Sequence, residues 1–287
     1  MKVLVLGGSG MLGHAAYRCF AAAPGVEAYA TLRGDSARRH FSPELQPGLV
    51  PGVDALDSDG LTAVLARLRP EAVVNCIGIV KQLSQSRDPL VTLPVNALFP
   101  HRLARLCALL GARLVHISTD CVFRGSRGGY TEQDPADPDD LYGRSKLLGE
   151  VDEPHAVTLR TSLIGRELES RHGLVEWFLG ESGAVRGFTR AVFSGLTTRE
   201  MASLILRHVL PNPGLHGVWH VSAAPIAKHD LLVLLREAYD RRTRIEADAS
   251  LVLDRSLDSS RFRAATGYEP PSWPAMIRQM RTAELSA

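Results

Sequence analysis

A tyrosine and a lysine stand four positions apart in the stretch YGRSK, as Tyr142 and Lys146. On a helix, residues at this spacing share one face with Cβ atoms about 5–6 Å apart, so both side chains can act at one point. A phenol with a pKa of about 10 is a poor acid or base at neutral pH, but a nearby ammonium favours the phenolate and lowers that pKa. The pair predicts proton transfer by Tyr142 with help from Lys146, although the same spacing also occurs on solvated helix faces.

Hydroxyl side chains end the strand that precedes this pair. The stretch VHISTD places Ser118, Thr119 and Asp120 after an apolar run. A hydroxyl at this point can donate a hydrogen bond to the oxygen of a substrate carbonyl and stabilise the charge that develops there during hydride transfer. Thr119 is therefore the third candidate catalytic residue, and capping of the backbone is the alternative role of its hydroxyl.

Four glycines follow the first predicted strand in VLVLGGSGMLGH. Their spacing is typical of a tight turn that brings the backbone to a pyrophosphate at the start of a helix, whose N-terminus attracts negative charge. A purely structural turn is the alternative. We predict a dinucleotide site that includes Gly7, Gly10, Met11, Leu12 and Gly13.

The residues after the second predicted strand indicate which dinucleotide binds. The strand ends in ATLRGD, and the guanidinium of Arg33 suits the 2′-phosphate of NADPH. Asp35 argues for NADH, because a carboxylate in this region accepts hydrogen bonds from the adenosine ribose. Arg38 and Arg39 are further candidates to assist Arg33. We predict NADPH as the cofactor, with NADH as the alternative.

Short apolar runs alternate with stretches of helical period up to about residue 164. Runs such as KVLVLG, EAVVNCIG and ARLVHIS are typical of buried strands, and the helices between them predict a doubly wound parallel α/β sheet of the Rossmann type. Ligands bind at the carboxyl ends of such strands, where the candidate residues lie. After residue 164 the pattern loosens into a helix and an irregular aromatic stretch, and from 226 onward it indicates short helices and a loop. We predict a nucleotide-binding domain of 1–164 plus about 193–225, and a small C-terminal substrate-binding lobe of about 165–192 plus 226–287.

The composition limits the partners of the chain. Its 33 basic and 31 acidic residues give a net charge of +2, which leaves no strong field for nucleic acid. The four cysteines have neither CxxC spacing nor paired histidines, so we expect reduced thiols and no metal site. No signal peptide and no apolar run of about 20 residues is evident, so we expect a cytoplasmic protein without membrane contact.

Several motifs resemble those of the extended short-chain dehydrogenase/reductases. GGSGMLG, VNCIG, VNALFPHRLA, HISTDCVFRG and LYGRSKLLGE are most similar to the dTDP-4-dehydrorhamnose reductase family, which reduces 4-keto nucleotide sugars. The resemblance implies a nucleotide-sugar substrate and the catalytic set Thr119, Tyr142 and Lys146, with Asn96 supporting the lysine through backbone and water. It also implies a cofactor site that includes Asp54, Ala55, Cys76, Ile77, Gly78, Asn96, Ser118, Thr161 and Ser162, together with Tyr142 and Lys146.

The sequence departs from that family where a substrate would lie. Cys121 replaces the usual tyrosine after STD, and NCIGIVKQ replaces NCAA. Lys81 is then either a partner for a phosphate or an acidic sugar substituent, or an exposed loop residue. Arg255 is expected to bind the diphosphate, while aromatic residues of the lobe either stack on a base or belong to the core. The substrate site implied in this way includes Lys81, Asp120, Cys121, Trp177, Phe193 and Arg255.

Two other functions stay open at this stage. The same fold occurs in nucleotide-sugar epimerases and dehydratases with tightly held NAD, but these dehydratases generally carry an acid–base pair such as Asp-Glu, whereas Asp120 is followed by Cys121. Some relatives are non-catalytic regulatory subunits that bind NADP and a partner protein, a role that the intact catalytic set disfavours. The resemblance also implies a homodimer with a contact through helix 97–110 and the helix of Tyr142.

Overall fold

The structure, a computed structural model, describes residues 1–285, and residues 286 and 287 of the predicted lobe lie outside the described part of the chain. The strands are β1 (Lys2–Leu6), β2 (Glu27–Thr31), β3 (Leu49–Val50), β4 (Ala72–Asn75), β5 (Arg113–Ile117), β6 (Ala156–Arg160), β7 (Leu163–Ile164), β8 (Ala184–Phe188), β9 (Ala191–Phe193), β10 (Leu196–Thr197), β11 (Gly217–His220), β12 (Ile226–Ala227), β13 (Arg244–Asp248) and β14 (Leu253–Asp254). The α-helices are α1 (Met11–Ala21), α2 (Ser58–Leu68), α3 (Pro89–Leu93), α4 (Phe99–Leu110), α5 (Leu141–Leu148), α6 (Leu174–Gly180), α7 (Thr198–Leu204), α8 (Lys228–Ala238), α9 (Ser260–Thr266) and α10 (Trp273–Leu285).

Within residues 1–285, seven parallel strands form one sheet in the order β11-β6-β5-β4-β1-β2-β3. Every residue of β4 and β6 is buried, as expected for strands covered on both faces. The strand order reverses at β1, which pairs with β4 on one side and β2 on the other. A crevice forms at such a switch point, at the carboxyl ends of the strands. The predicted doubly wound α/β sheet is confirmed.

Alternate residues of β1 face the two sides of the sheet. Val3 and Val5 belong to the hydrophobic cluster that includes residues of α1 and α7, and Leu4 and Leu6 belong to a second cluster with residues of α2 and α4. All four side chains are fully buried. Burial of an aliphatic side chain of this size contributes about 1.5–3 kcal/mol, so burial on both faces fixes the register of the strand that carries the glycine turn.

The region after β6 contains short strands that the sequence pattern did not indicate. β9 pairs with β12 and β14, β8 pairs with β13, and β7 pairs with β10. Several of these strands are two or three residues long, too short for an alternating pattern to appear in the sequence. The expected irregular stretch and loop are therefore corrected to small sheets.

The division into two domains stays a prediction. β11 belongs to the central sheet and α7 packs against α1. The boundary expected near residue 193 falls at the end of β9, which pairs with two strands from the predicted lobe.

Across residues 1–285, every helix is too short or too polar to span a bilayer. In the same part of the chain, no group of three or more His, Cys, Asp or Glu side chains is placed to hold a metal ion. Cys19, Cys76, Cys107 and Cys121 are free thiols.

Candidate active site

The glycine turn joins β1 to α1. Gly7 has a φ of +81°, a left-handed conformation that favours glycine. A Cβ atom on Gly13 would lie 1.9 Å from the Gly7 carbonyl oxygen, so the helix can pack this closely on the turn only with glycine there. Gly10 precedes the helix and offers no capping side chain, and the nearest neighbour of a Cβ built on it would be the Gly7 oxygen at 3.3 Å. The first N–H groups of α1 lack intrahelical partners, so the turn fits a pyrophosphate.

Arg33 lies exposed just after β2. Its neighbours are already paired, because Arg38 lies 3.4 Å from Asp35 and Arg39 lies 2.8 Å from Glu169. Among the described residues, Arg33 makes no side-chain hydrogen bond or ion pair. The guanidinium of Arg33 is therefore available to a ligand, and its contact with a 2′-phosphate stays a prediction.

Asp54 and Ala55 lie on the same side of the sheet as Arg33, after β3. The backbone N–H of Val53 donates to the Leu32 carbonyl, which fixes this segment beside the end of β2. The carboxylate of Asp54 is exposed and accepts a hydrogen bond from the backbone of Leu56 at 2.8 Å. The contact of this segment with an adenine stays a prediction.

The remaining predicted cofactor residues follow neighbouring strands of the sheet. Gly7, Met11 and Leu12 follow β1, Cys76, Ile77 and Gly78 follow β4, and Thr161 and Ser162 follow β6. Leu12 and Thr161 are buried, Gly78 is exposed, and the others are half-buried. Because β1, β4, β5 and β6 are adjacent, the fold brings these residues to one edge.

Asn96 lies in a π-helical turn, Pro94–Leu98, between α3 and α4. Its buried amide accepts a hydrogen bond from the Ile79 N–H at 2.8 Å and donates to the Ile79 carbonyl at 3.0 Å and to Ser145 Oγ at 3.2 Å. π-Turns occur frequently at functional sites. Asn96 therefore joins the loop after β4 to α5, at the residue before Lys146, whereas its predicted support of that lysine through water stays a prediction.

Thr119 begins a short turn after β5. Its hydroxyl accepts a hydrogen bond from the Cys121 N–H at 3.1 Å and donates to Asp120 Oδ1 at 3.2 Å. The backbone capping that was the alternative role of this hydroxyl is thus present. Its proton is directed to a buried carboxylate, from which it must turn to reach a substrate carbonyl.

Helix α5 places Tyr142 and Lys146 beside this turn. Asp140 caps the helix, because its Oδ1 accepts a hydrogen bond from the Gly143 N–H at 2.7 Å. The buried Lys146 ammonium donates to the carbonyl of Ile117, the last residue of β5, at 2.7 Å. The phenol of Tyr142 lies close enough to the Thr119 hydroxyl for Thr119 to affect its pKa. The three predicted catalytic side chains therefore meet at the carboxyl end of β5.

Burial controls the protonation of the tyrosine–lysine pair. It raises the pKa of Tyr142, Cys121 raises that pKa further, and the nearby Thr119 hydroxyl lowers it. Burial also lowers the pKa of Lys146 to about 8, an effect that Glu150 opposes. The expected lowering of the Tyr142 pKa is therefore corrected, because burial has the largest effect on this phenol and raises its pKa. A phenol that stays protonated at neutral pH is a proton donor, which favours reduction of a carbonyl.

A buried ion pair lies behind the strand ends. Arg160 donates two hydrogen bonds to the carboxylate of Glu150, at 2.8 and 2.7 Å, and Ser118 Oγ donates to the same carboxylate at 2.7 Å. Arg160 also lies 3.3 Å from His220 Nε2. The Ser118 hydroxyl therefore contacts this ion pair, and its place in the cofactor site stays a prediction. This ion pair was not predictable from the sequence, because GEVDEPH has the composition of a solvated loop.

The two positively charged residues that are predicted to bind the substrate already have partners within the protein. Lys81 pairs with Asp140 at 2.6 Å. The buried guanidinium of Arg255 donates to the Phe123 carbonyl at 2.8 Å, lies 3.6 Å from Cys121 Sγ, and pairs with Asp139 at 3.5 Å. Contact of Lys81 or Arg255 with a phosphate stays a prediction, and it requires exchange of these partners.

The two predicted aromatic residues occupy different environments. Trp177 is exposed on α6 and stays a candidate for stacking on a base. Phe193 is 3% exposed, packs on Trp273 at a centroid distance of 5.3 Å, and has the Lys228 ammonium 4.2 Å from its ring centroid. Stacking of Phe193 on a base is therefore corrected to a position in the core.

Lys228 is a charged residue near the site that the sequence analysis missed. Lys228 belongs to no recognisable motif in the sequence. It lies at the start of α8, far along the chain from β5. Its ammonium opposes the raised pKa that burial gives Asp120, and Arg255 acts in the same direction. The pairing of β12 with β9 brings this helix start to Phe193.

Comparison with known proteins agrees with this geometry. A crystal structure of dTDP-4-dehydrorhamnose reductase from Bacillus anthracis in complex with NADP superposes with a TM-score of 0.79, at 20% identity, over 98% of this chain and 99% of that one. At this identity the likeness shows the fold alone, which is that of the extended short-chain dehydrogenase/reductases. The chain matches the family described as RmlD substrate binding domain over residues 1–182, and it belongs to that family.

Several curated proteins are similar in sequence. dTDP-4-dehydrorhamnose reductase of Mycobacterium tuberculosis is 34% identical over 135 residues, which are 40% of this chain and 44% of the relative, so the match spans less than half of that relative. A probable dTDP-4,6-dihydroxy-2-methyloxan-3-one 4-ketoreductase of Streptomyces antibioticus is 30% identical over 246 residues, 78% of this chain and 72% of the relative. Methionine adenosyltransferase 2 subunit beta of Rattus norvegicus is 25% identical over 260 residues, 83% of this chain and 72% of the relative.

Proposed function

We propose that this chain is a cytoplasmic NADPH-dependent reductase of a 4-keto-6-deoxy nucleotide sugar. The observation that carries the proposal is the meeting of a protonated phenol, Tyr142, with the Thr119 hydroxyl at the end of β5, beside Lys146. This arrangement supplies a proton and a hydrogen-bond donor to one carbonyl oxygen. The names of the relatives from Mycobacterium tuberculosis and Streptomyces antibioticus support a sugar ketone as the substrate.

The glycine turn and Arg33 would hold the cofactor. The open backbone at Gly10 and the start of α1 suit its pyrophosphate, and the unpaired guanidinium of Arg33 suits a 2′-phosphate. NADPH, when bound, supplies hydride to the keto carbon.

The residues of the chain manage the proton in the reaction. Tyr142 donates its phenolic proton to the keto oxygen as negative charge develops there. Thr119 turns its hydroxyl from Asp120 to the same oxygen and stabilises that charge. Lys146 then stabilises the phenolate left on Tyr142, for which its ammonium form is required.

A screen of 4-keto-6-deoxy sugars linked to dTDP, UDP or GDP tests the proposal. We expect one of them to be reduced to an alcohol with one NADPH oxidised per product, measured by absorbance and by mass spectrometry of the product. An epimerase or dehydratase would instead convert the sugar while its bound NAD shows no net consumption. Absence of NADPH oxidation with every sugar would contradict the proposal.

A second candidate function is that of a binding subunit for another enzyme. The similarity to methionine adenosyltransferase 2 subunit beta favours it, because the match covers 83% of this chain. The presence of Thr119, Tyr142 and Lys146 in one site favours catalysis. Isolation of the chain in a stable complex with another enzyme, together with no turnover of any keto sugar, would support the function of a binding subunit over that of a reductase.

The predicted homodimer stays part of the proposal. Leu98, Leu109 and Leu148 are 52%, 84% and 62% exposed, respectively, on or next to α4 and α5. The two helices are adjacent, because His101 Nε2 lies 2.8 Å from the Leu148 carbonyl. These leucines lie on the helices through which the contact is expected.

A further inference from the structure

Lys228 occupies a position that the fold alone does not explain. It is the first residue of the 11-residue helix α8, where the helix dipole disfavours a cation, and it is half-buried. Among the described residues it makes no hydrogen bond or ion pair, and its ammonium lies over the Phe193 ring at 4.2 Å from the centroid. Contact with a ring face leaves the donors of an ammonium available for a ligand.

Lys228 interacts electrostatically with Asp120, which adjoins the predicted catalytic hydroxyl of Thr119. Its carboxylate is buried and accepts a hydrogen bond from Thr119, and its own backbone N–H donates to the Thr161 carbonyl at 3.1 Å. Lys228 and Asp120 interact electrostatically without being in direct contact, since the structure describes no nitrogen–oxygen pair between them within 4.0 Å. A cation with available donors therefore lies near an anion with available acceptors that adjoins Thr119, and a ligand group in the space between them would contact both.

The chemistry of this space selects a particular substituent. A carboxylate or phosphate would be attracted by Lys228 but repelled by Asp120. An ammonium would be attracted by Asp120 but repelled by Lys228. A hydroxyl accepts from the lysine and donates to the aspartate, so it satisfies both groups. Thr119 Oγ1 and Asp120 Oδ1 lie 3.2 Å apart, a separation similar to that of oxygens on neighbouring ring carbons, so a sugar whose keto oxygen meets Thr119 can present the hydroxyl of the adjacent carbon to Asp120.

We propose that Lys228 and Asp120 together bind a hydroxyl on the ring carbon next to the keto carbon and so determine substrate specificity. The inference rests on the proposed function, because it uses Thr119 as the residue that contacts the keto oxygen. An analogue without this hydroxyl leaves a desolvated cation and a desolvated anion unpaired, which is a strong basis for discrimination.

Binding of non-reacting alcohol sugars tests the inference without turnover. The probes are a dTDP-linked 6-deoxyhexose with a hydroxyl at C3 and its 3-deoxy analogue, with the corresponding UDP pair, each titrated calorimetrically in the presence of NADPH, with which an alcohol sugar cannot react. For the wild type we expect the C3 hydroxyl to tighten binding about 10- to 100-fold. In Lys228→Met and in Asp120→Asn we expect that ratio to fall to about threefold or less, and in Lys228→Arg to recover in part.

Lys2→Met is the matched control. Lys2 also has its ammonium near an aromatic ring, that of Tyr29 at 5.8 Å, but it lies at the amino end of β1, on the opposite edge of the sheet. We expect this variant to keep the wild-type ratio of affinities for the hydroxy and deoxy probes. Thermal unfolding of each variant serves as the control for folding.

The inference is overturned if Lys228→Met discriminates as strongly as the wild type, or if the wild type binds none of these sugars. Discrimination by binding without any NADPH oxidation would contradict the proposed function alone. Turnover of a keto sugar with equal binding of the hydroxy and deoxy probes would contradict only the role of Lys228 and Asp120.

Discussion

Lys81 and Asp140 form an ion pair with 2.6 Å between Nζ and Oδ2. The other carboxylate oxygen of Asp140 accepts the hydrogen bond that caps α5, the helix of Tyr142 and Lys146. The side chain of Asp140 therefore connects the loop after β4 to the first turn of α5. Lys81, which the sequence placed in the substrate site, contributes to this connection.

We predict that the cap contributes more to stability than the ion pair. Asp140→Ala should lower the free energy of unfolding by about 0.5–2 kcal/mol, because an N-cap acceptor is lost. Lys81→Met should lower it by about 1 kcal/mol or less, since both partners are partly exposed and solvent screens the pair. Asp140→Asn keeps a capping oxygen and should fall between them. Urea unfolding measures all three, and a larger effect of Lys81→Met than of Asp140→Ala would reverse this ranking.

The buried Lys146 predicts a specific pH dependence of stability. Burial lowers its pKa from 10.5 to about 8, so between these values the unfolded chain holds a proton that the folded chain has lost. This group therefore destabilises the folded state fully below pH 8, and the penalty decreases as the pH rises toward 10.5. Removal of the charge in Lys146→Met should raise stability relative to the wild type more at about pH 7 than at about pH 9.5. Urea unfolding of both proteins at the two pH values tests this, and a difference that grows with pH would contradict the lowered pKa.

Arg33 is predicted to set the preference for NADPH. Arg33→Ala should lower kcat/KM for NADPH about 10- to 100-fold and change the value for NADH little, because a charge-assisted bond to the 2′-phosphate is lost. Arg38→Ala is the matched control, since that guanidinium is already paired with Asp35. Steady-state kinetics with both cofactors gives the ratios. An unchanged ratio in Arg33→Ala would remove Arg33 from the cofactor site.

Two glycines of the turn should respond differently to the same substitution. Gly13→Ala places a Cβ 1.9 Å from the Gly7 oxygen and should strongly destabilise the fold, whereas at Gly10 the nearest atom is 3.3 Å away. Gly10→Ala should keep a melting temperature close to that of the wild type but weaken NADPH binding at least about tenfold, because the new methyl group faces the pyrophosphate. Thermal unfolding and fluorescence titration measure the two effects. Normal NADPH binding by Gly10→Ala would place the pyrophosphate elsewhere.

Local signals made part of this structure predictable. The glycine turn is contiguous in sequence, and Tyr142 and Lys146 share one helix, so their proximity follows from helical geometry. The parallel sheet was predictable because its strands are apolar on both faces. These features fixed the edge of the sheet at which the site lies.

Features that depend on long-range packing were not predictable. Lys228 reaches the site through the pairing of β12 with β9, strands of two and three residues with no periodic signal. Phe193 belongs to the core for the same reason. The direction of the Tyr142 pKa shift depends on how far burial removes solvent from the phenol, and the spacing of a motif carries no such information.

The most direct test of the account is the Tyr142→Phe variant, measured with the keto sugar that the wild type reduces. We predict that kcat falls about 10²–10⁴-fold, as expected for loss of a general acid, while the dissociation constant for NADPH stays within about twofold of the wild-type value. Turnover within about fivefold of the wild type would contradict the assignment of Tyr142 as the proton donor.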